Sequence, residues 1–289
     1  MILRLRERSI DLAEPVLMGI LNATPDSFSD EQRTKSPDEL AERGRELVAA
    51  GAAIVDVGGE SGRTDTEAVV VGEEAARVVP VVARLAADGT LVSVDTWRAE
   101  VARRALAVGA AMINDVSGLA DTELADACAE SGAALVVTHT RTPPKTKGFP
   151  EYDDVVEDVA AFLDERVELA RAHGVDEDRI VLDPGIDLAK TPAESVALLR
   201  ALPRLTERRL PLLLAVSRKD FVGALTGRPP AARDPGTLAA IGAGLRGGAN
   251  ILRVHDVAGT RDYLNVHAAL ENGAERSLEL ADSLRREVL

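Results

Sequence analysis

Aromatic residues are scarce: Phe, Trp and Tyr together make up 2% of the 289 residues. Stacked rings therefore cannot fill a core here. Ala, Val, Leu and Ile must do so, and an apolar fraction of 46% is enough for a large core. Cysteine is almost missing too. Cys128 is the only one, which excludes an intrachain disulfide and fits a reducing compartment. Its Ala-rich helical surroundings place it in the core. Basic residues are in deficit, 34 against 48 acidic ones, for a formal charge of −14. Such a balance argues against binding a phosphate backbone or an anionic membrane and reads as a well-solvated surface. No run approaches the roughly 20 apolar residues of a membrane span. The start, "MILRLRERSIDLAEPV", lacks the apolar segment and cleavage site of a signal peptide. A cytoplasmic location is expected. No GxGxxG follows the first apolar run, which disfavours a dinucleotide-binding fold. No linker is evident, so residues 1–289 read as a single domain.

What is present is a recurrence of short apolar runs. They are "VLMGILN" (16–22), "AIVDVG" (53–58), "LVSVD" (91–95), "AMINDV" (111–116), "ALVVTH" (134–139), "RIVLDPG" (179–185), "LLLAVS" (212–217) and "ILRVHD" (251–256). Each is too short for a helix and rich in β-branched residues or Leu, as a buried parallel strand should be. Amphipathic stretches lie between them. "SPDELAERGRELVAAG" predicts a helix with Ser36 as N-cap, Pro37 at the first position and a left-handed cap at Gly51. "TEAVVVGEEAARVVPVVARLAADG", "EDVAAFLDERVELARAHG" and "PGTLAAIGAGLRGGA" read alike. Gly-Ala recurs at helix–strand joints (51–52, 109–110, 132–133). Eight strands alternating with helices predict an α/β fold, either a (β/α)8 barrel or an open doubly wound sheet, and the count favours the barrel. The longest stretch without a pattern is 138–154.

In such a barrel the site lies at the C-terminal ends of the strands. There the runs deliver Asn22, Asp56 through Glu60, Asp95, Asn114–Asp115, His139, Asp183, Ser217–Arg218–Lys219, and Arg253, His255 and Asp256. Taken singly, a strand-end Asp is an ordinary helix cap, a lone His an ordinary backbone partner and an Asn an ordinary turn residue. Eight polar ends converging on one mouth need a polar ligand or tight mutual pairing. Asp95, Asn114, Asp183 and Lys219 suit a flat, nitrogen-rich ring. Arg253, His255 and Asn22 suit a phosphate-like group, with or without a metal. "ILNATPDSFSD" (20–30) reads as a loop carrying chemistry. Its lone aromatic, Phe28, needs a partner, which a ligand would supply.

The motifs "MGILNATPDSFSD", "IVDVGGES", "SVDT", "INDVSG", "LDPGI", "SRK" and "RVHD" occur in the order seen in dihydropteroate synthases, and the chain resembles that family from about residue 16 to 257. The resemblance implies a (β/α)8 barrel. It also implies condensation of 6-hydroxymethyl-7,8-dihydropterin pyrophosphate with p-aminobenzoate, releasing pyrophosphate. Carried over position by position, Asp95, Asn114, Asp183 and Lys219 would hold the pterin. Asn22, Arg63, Arg253 and His255 would hold pyrophosphate, with Mg²⁺ at Asn22. Asp95, Lys219 and Arg253 would be the catalytic residues. Thr24, Phe28, Gly62, Thr64, Leu188 and Asp220 would lie on the loops closing over the aryl amine. A homodimer through the later helices is also implied.

The amine end departs from the family pattern. S-T-R-P-G becomes Ser61-Gly62-Arg63-Thr64-Asp65. G-F-G-K becomes Asp187-Leu188-Ala189-Lys190, and M-H-M becomes Thr138-His139-Thr140. Asp220 follows Lys219 where Ser or Arg is usual, and faced with a substrate carboxylate it would repel it by about 4 kcal/mol if partly buried. A pterin-binding paralogue with another amine, or without turnover, is thus the second reading. A corrinoid methyltransferase domain is disfavoured by "TPDSFSD" and "SRK". Trp97 is read as rim packing, Lys190 as a salt-bridge partner, His173 and His267 as solvent-facing, and Met18 and Met112 as core.

Overall fold

The computed structural model describes residues 1–24, 35–62, 64 and 67–272. In chain order its elements are β1 (Ile2–Leu5), β2 (Arg8–Asp11), β3 (Val16–Asn22), α1 (Pro37–Ala50), β4 (Ile54–Gly58), α2 (Val71–Ala87), β5 (Val92–Asp95) and α3 (Ala99–Ala107). Next come β6 (Met112–Asp115), α4 (Glu123–Ser131), β7 (Ala134–Thr138), α5 (Val155–Ala172), β8 (Ile180–Asp183), α6 (Pro192–Arg200) and α7 (Leu202–Leu205). The last are β9 (Leu213–Leu214), α8 (Asp220–Thr226), α9 (Asp234–Arg246), β10 (Ile251–Val254) and α10 (Val257–Asn272).

Eight parallel strands run in the order β8-β7-β6-β5-β4-β3-β10-β9. A parallel bridge between Leu182 and Leu212 joins the two ends, with the Leu182 N–H donating to the Pro211 carbonyl at 2.8 Å. The sheet is a (β/α)8 barrel. All eight predicted strands are present, although the seventh is regular only at Leu213–Leu214.

The period of two along each strand divides the core into two shells. One set of residues, including Leu17, Val55, Val92, Val94, Ile113, Leu135, Val137, Leu182, Leu214 and Leu252, packs against the helices. The alternate set, Met18, Ile54, Met112, Val136, Val181, Leu213 and Ile251, forms a separate apolar layer inside the barrel. Two residues further along the same strands the inward positions turn polar: Asp56 follows Ile54, Asn114 follows Met112, Asp183 follows Val181 and Arg253 follows Ile251. The strands themselves thus carry the side chains from an oily floor to a charged mouth.

The floor is completed by an element that the strand pattern did not predict. β1 and β2 form an antiparallel hairpin. Leu3 and Leu5 from it, with Leu12, join the inner apolar layer. Arg6, in its turn, takes a left-handed φ of 56°. The Arg6 N–H reaches the Gly132 carbonyl at 2.6 Å, and its guanidinium reaches the carbonyls of Leu106 and Ala110.

The helix signals hold where they were clearest. Ser36 accepts from the Glu39 N–H, Glu39 reaches back to the Ser36 N–H, and Gly51 caps α1 at φ 114°. Gly109 and Gly132 at the other Gly-Ala joints are left-handed as well. Cys128, Met18 and Met112 are fully buried.

Candidate active site

A cavity of about 750 Å³ opens at the C-terminal ends of the strands. Asn22, Asp95, Asn114, Asp183, Lys219, Arg253 and His255 all line it. So do Thr24, Gly62, Thr64, Leu188 and Asp220. Phe28 and Arg63 lie outside the described residues.

The inner wall is a charge network. The Arg253 Nε donates to Asp56 Oδ2 at 2.6 Å and its Nη2 to Asp95 Oδ2 at 2.7 Å. The Asn114 amide Nδ2 donates to the same Asp56 Oδ2 at 3.0 Å. Asp56 is fully buried and lies at the centre of the network. Burial pushes the Asp95 carboxyl up to about 7, with Arg253 opposing and Asp56 reinforcing the shift. Burial opposes the charge on Arg253, yet the carboxylates of Asp56 and Asp95 hold its pKa above the ordinary value. Asp183 accepts from the Gly185 N–H at 2.8 Å, and burial raises its pKa. Burial lowers the pKa of Lys219, and Asp187 is the first of the carboxylates that oppose this. The buried Asn114 Oδ1 has no hydrogen-bond partner within the described protein.

Ser217 anchors His255: its Oγ accepts from the His255 backbone N–H at 3.2 Å and is hydrogen-bonded to the ring Nδ1 at 2.9 Å. Burial, with Arg218 and Arg253 nearby, lowers the His255 pKa to about 4, so the ring is neutral at pH 7.

Some polar strand ends serve structure instead. Asp115 caps a turn, accepting from Ser117 and Leu119 N–H groups at 2.8 and 2.6 Å. Asp256 accepts from Gly259 at the start of α10. His139 turns away from the mouth: its Nε2 meets Asp158 at 2.9 Å and its Nδ1 meets Lys190 Nζ at 2.8 Å. Among the described residues Lys190 has no carboxylate partner within salt-bridge distance, where a salt bridge was expected. Its ammonium donates to the carbonyls of Gly185 and Leu188, both at 3.0 Å, and burial lowers its pKa to about 7. Gly185 is obligatory here, because a Cβ would stand 1.9 Å from the His139 carbonyl oxygen. Trp97 lines the cavity under the Arg98 guanidinium, 4.3 Å from its ring centre. His173 pairs with Asp126 and His267 stacks on Tyr263.

Asp220 is 86% exposed and ion-paired to Arg233 at 2.9 Å. Arg233 also donates to the Arg218 and Lys219 carbonyls, so it fixes the whole turn before α8. Arg218 pairs with Asp234 through Nε and Nη2, at 2.8 Å each. Asp187, which the motif reading treated only as a lost glycine, keeps a glycine-like φ of 62°. Its carboxylate accepts from Ser195 Oγ and from the Phe221 N–H.

Residues 18–255 match the family model described as "Pterin binding enzyme". The dihydropteroate synthase of Mycobacterium leprae is 44% identical over 269 residues, 90% of this chain and 95% of that protein. The Bacillus subtilis dihydropteroate synthase is 41% identical over 244 residues, 84% of each. The structure of Xanthomonas albilineans dihydropteroate synthase with 4-aminobenzoic acid matches with a TM-score of 0.87 at 42% identity, covering 94% of this chain and 99% of that one. A structure of the same enzyme in complex with 7,8-dihydropteroate gives 0.83, also at 42% identity, with 93% and 98% covered.

Proposed function

The chain belongs to the pterin-binding enzymes and, within them, to the dihydropteroate synthases, and we propose a role for each of its cavity residues in that transferase reaction. The reaction joins 6-hydroxymethyl-7,8-dihydropterin pyrophosphate to p-aminobenzoate. The amine nitrogen forms a bond to the pterin methylene, the carbon–oxygen bond to diphosphate breaks, and the nitrogen loses a proton.

The buried acceptor Asn114 Oδ1 is the observation that carries the pterin assignment. A buried acceptor without a partner is costly, and a ring bearing N–H donors satisfies it. Asp95, Asn114, Asp183 and Lys219 bind the pterin. As diphosphate leaves, positive charge develops on the ring, and the Asp95 carboxylate stabilises it. Arg253 keeps Nη1 for the diphosphate while Nε and Nη2 hold Asp56 and Asp95. The neutral His255 ring and Asn22 bind the same anion, and Arg63, by its place in the motif, would join them. Thr24, Gly62, Thr64, Leu188 and Asp220 border the amine, and Phe28, by its place in the motif, would join them.

No group of three or more His, Cys, Asp or Glu side chains able to hold a metal occurs among the described residues. Mg²⁺ commonly binds through few protein oxygens plus substrate phosphates, so the Asn22 amide oxygen fits an ion that arrives with the diphosphate. There it would neutralise charge on the leaving group. Residues 1–289 read as one pterin-binding domain. A homodimer is supported by Val266 and Leu270, 60% and 80% exposed and one turn apart on α10. The single buried cysteine suits the cytoplasm.

The test is pyrophosphate release from the dihydropterin pyrophosphate with Mg²⁺, with and without p-aminobenzoate. Release that requires p-aminobenzoate, with dihydropteroate formed and both lost in Asp95→Asn, is the expected result. Pterin binding without such release would favour a paralogue with another amine, and full activity in Asp95→Asn would remove Asp95 from the mechanism.

A further inference from the structure

The β7–α5 connection carries a residue whose backbone and side chain point to a task of its own. Thr146 N–H closes a turn onto the Pro143 carbonyl at 3.1 Å. Pro144 and Lys145 are the central residues, and Lys145 has a left-handed φ of 66°. A turn of this kind takes Pro readily at its second position and favours Gly or Asn at its third, where φ is positive. A lysine there is conformationally costly and implies compensation by the side chain.

That side chain leaves its own loop. The Lys145 ammonium donates to the Ser61 carbonyl at 2.9 Å and lies 3.8 Å from Glu60 Oε1. It is only 10% exposed, and Glu60 is 2% exposed. Glu60 is itself anchored: its Oε2 accepts from Arg98 at 2.7 Å and its Oε1 from the Val69 N–H at 3.1 Å. The connections after β4 and after β7 are separated in the barrel by β5 and β6, whose ends carry Asp95 and Asn114. The Lys145 contact spans that gap at the mouth of the cavity, and Lys145, Glu60 and Ser61 all line it.

We propose that Lys145 is a positioning residue: it ties the β7–α5 connection to Glu60 and Ser61 and so fixes the wall against which the aryl amine binds. The inference rests on the reaction proposed above, because that reading places the amine beside Gly62 and Thr64. The pterin is held by side chains of β5, β6 and β8 and by Lys219, outside the two connections that the tie joins, so loss of the tie acts on the amine.

Three variants separate this role from a merely structural one. Lys145→Gly relieves the left-handed backbone and removes the tie. Lys145→Met keeps the stem and removes the charge, and Lys145→Arg keeps a donor. The Gly and Met variants are expected to melt no lower than the native protein by more than a few degrees. Both should raise KM for p-aminobenzoate about tenfold, the size of one lost charge-assisted hydrogen bond, while KM for the pterin substrate stays within about twofold. Arg should restore most of the difference. Hydrogen exchange of the peptide containing Val69 should quicken in Gly and Met without any substrate. Unchanged exchange, or KM values for the two substrates moving together, overturns the proposal. If the native protein does not form dihydropteroate, the reaction assignment fails, and exchange alone then decides whether Lys145 fixes the loop.

Discussion

At the scale of the residue, the sequence showed which polar groups stand at strand ends but not which way they turn. Asp95, Asn114, Asp183, Lys219, Arg253 and His255 meet around one cavity, because alternate positions of parallel strands face inward. His139 and Asp115 occupy equivalent ends yet serve a buried pair and a turn. Asp56 was visible in "IVDVGGES", but its place as the shared partner of Arg253 and Asn114 depends on contacts 197 and 58 residues apart in sequence. Asp220 is the clearest case of a residue judged by position alone. A carboxylate next to Lys219 suggested repulsion of an anionic amine, but the side chain is 86% exposed and neutralised by Arg233. Exposed pairs are weak and well screened, so their fields die quickly toward the cavity. Asp220→Ser should therefore leave KM for p-aminobenzoate within about twofold of the native value. A fall of tenfold would show that the carboxylate does reach the substrate.

At the scale of the element, strands and helices were legible because apolar periodicity and caps are local. The α1 capping box and the left-handed Gly51 are set by neighbours in sequence. The N-terminal hairpin was harder to see. Leu3 and Leu5 alternate with Arg4, as a strand should, but the turn at Arg6–Glu7 has no Asn-Gly or Asp-Gly to announce it. Its pairing becomes worthwhile only when the barrel offers a floor to cover. Leu5 is 1% exposed within that floor, and Leu→Ala at such a site costs about 2–5 kcal/mol. Leu5→Ala should lower stability by that amount in denaturant titrations while kcat and both KM values stay native, since the floor is a layer below the charged mouth. A loss of activity at native stability would mean that the hairpin positions the site directly.

At the scale of the whole molecule, the charged mouth sets activity and stability against each other. Burial raises the Asp95 carboxyl from 3.8 to about 7, and Arg253, Asp56, Glu74 and Lys219 are the charges that act on it. Between those two values the folded protein holds a proton that the unfolded chain has released. Stability from this group therefore falls as pH rises from about 4 to about 7 and is level outside that window. In the role proposed for Asp95 it is the carboxylate that stabilises positive charge on the pterin, so kcat/KM is expected to rise over the same range with an acid limb near 7. That limb belongs to the linked cluster rather than to Asp95 alone. Lys190 acts in a different window: its pKa falls from 10.5 to about 7, so its contribution changes only above neutrality. Unfolding titrations of the native protein and Asp95→Asn at pH 5 and pH 7 isolate the effect. The native protein should lose more stability than the variant on going from pH 5 to 7, while its activity rises. Equal pH dependence in the two proteins would mean that Asp95 keeps an ordinary pKa, and the acid limb would then have to be sought in another member of the network.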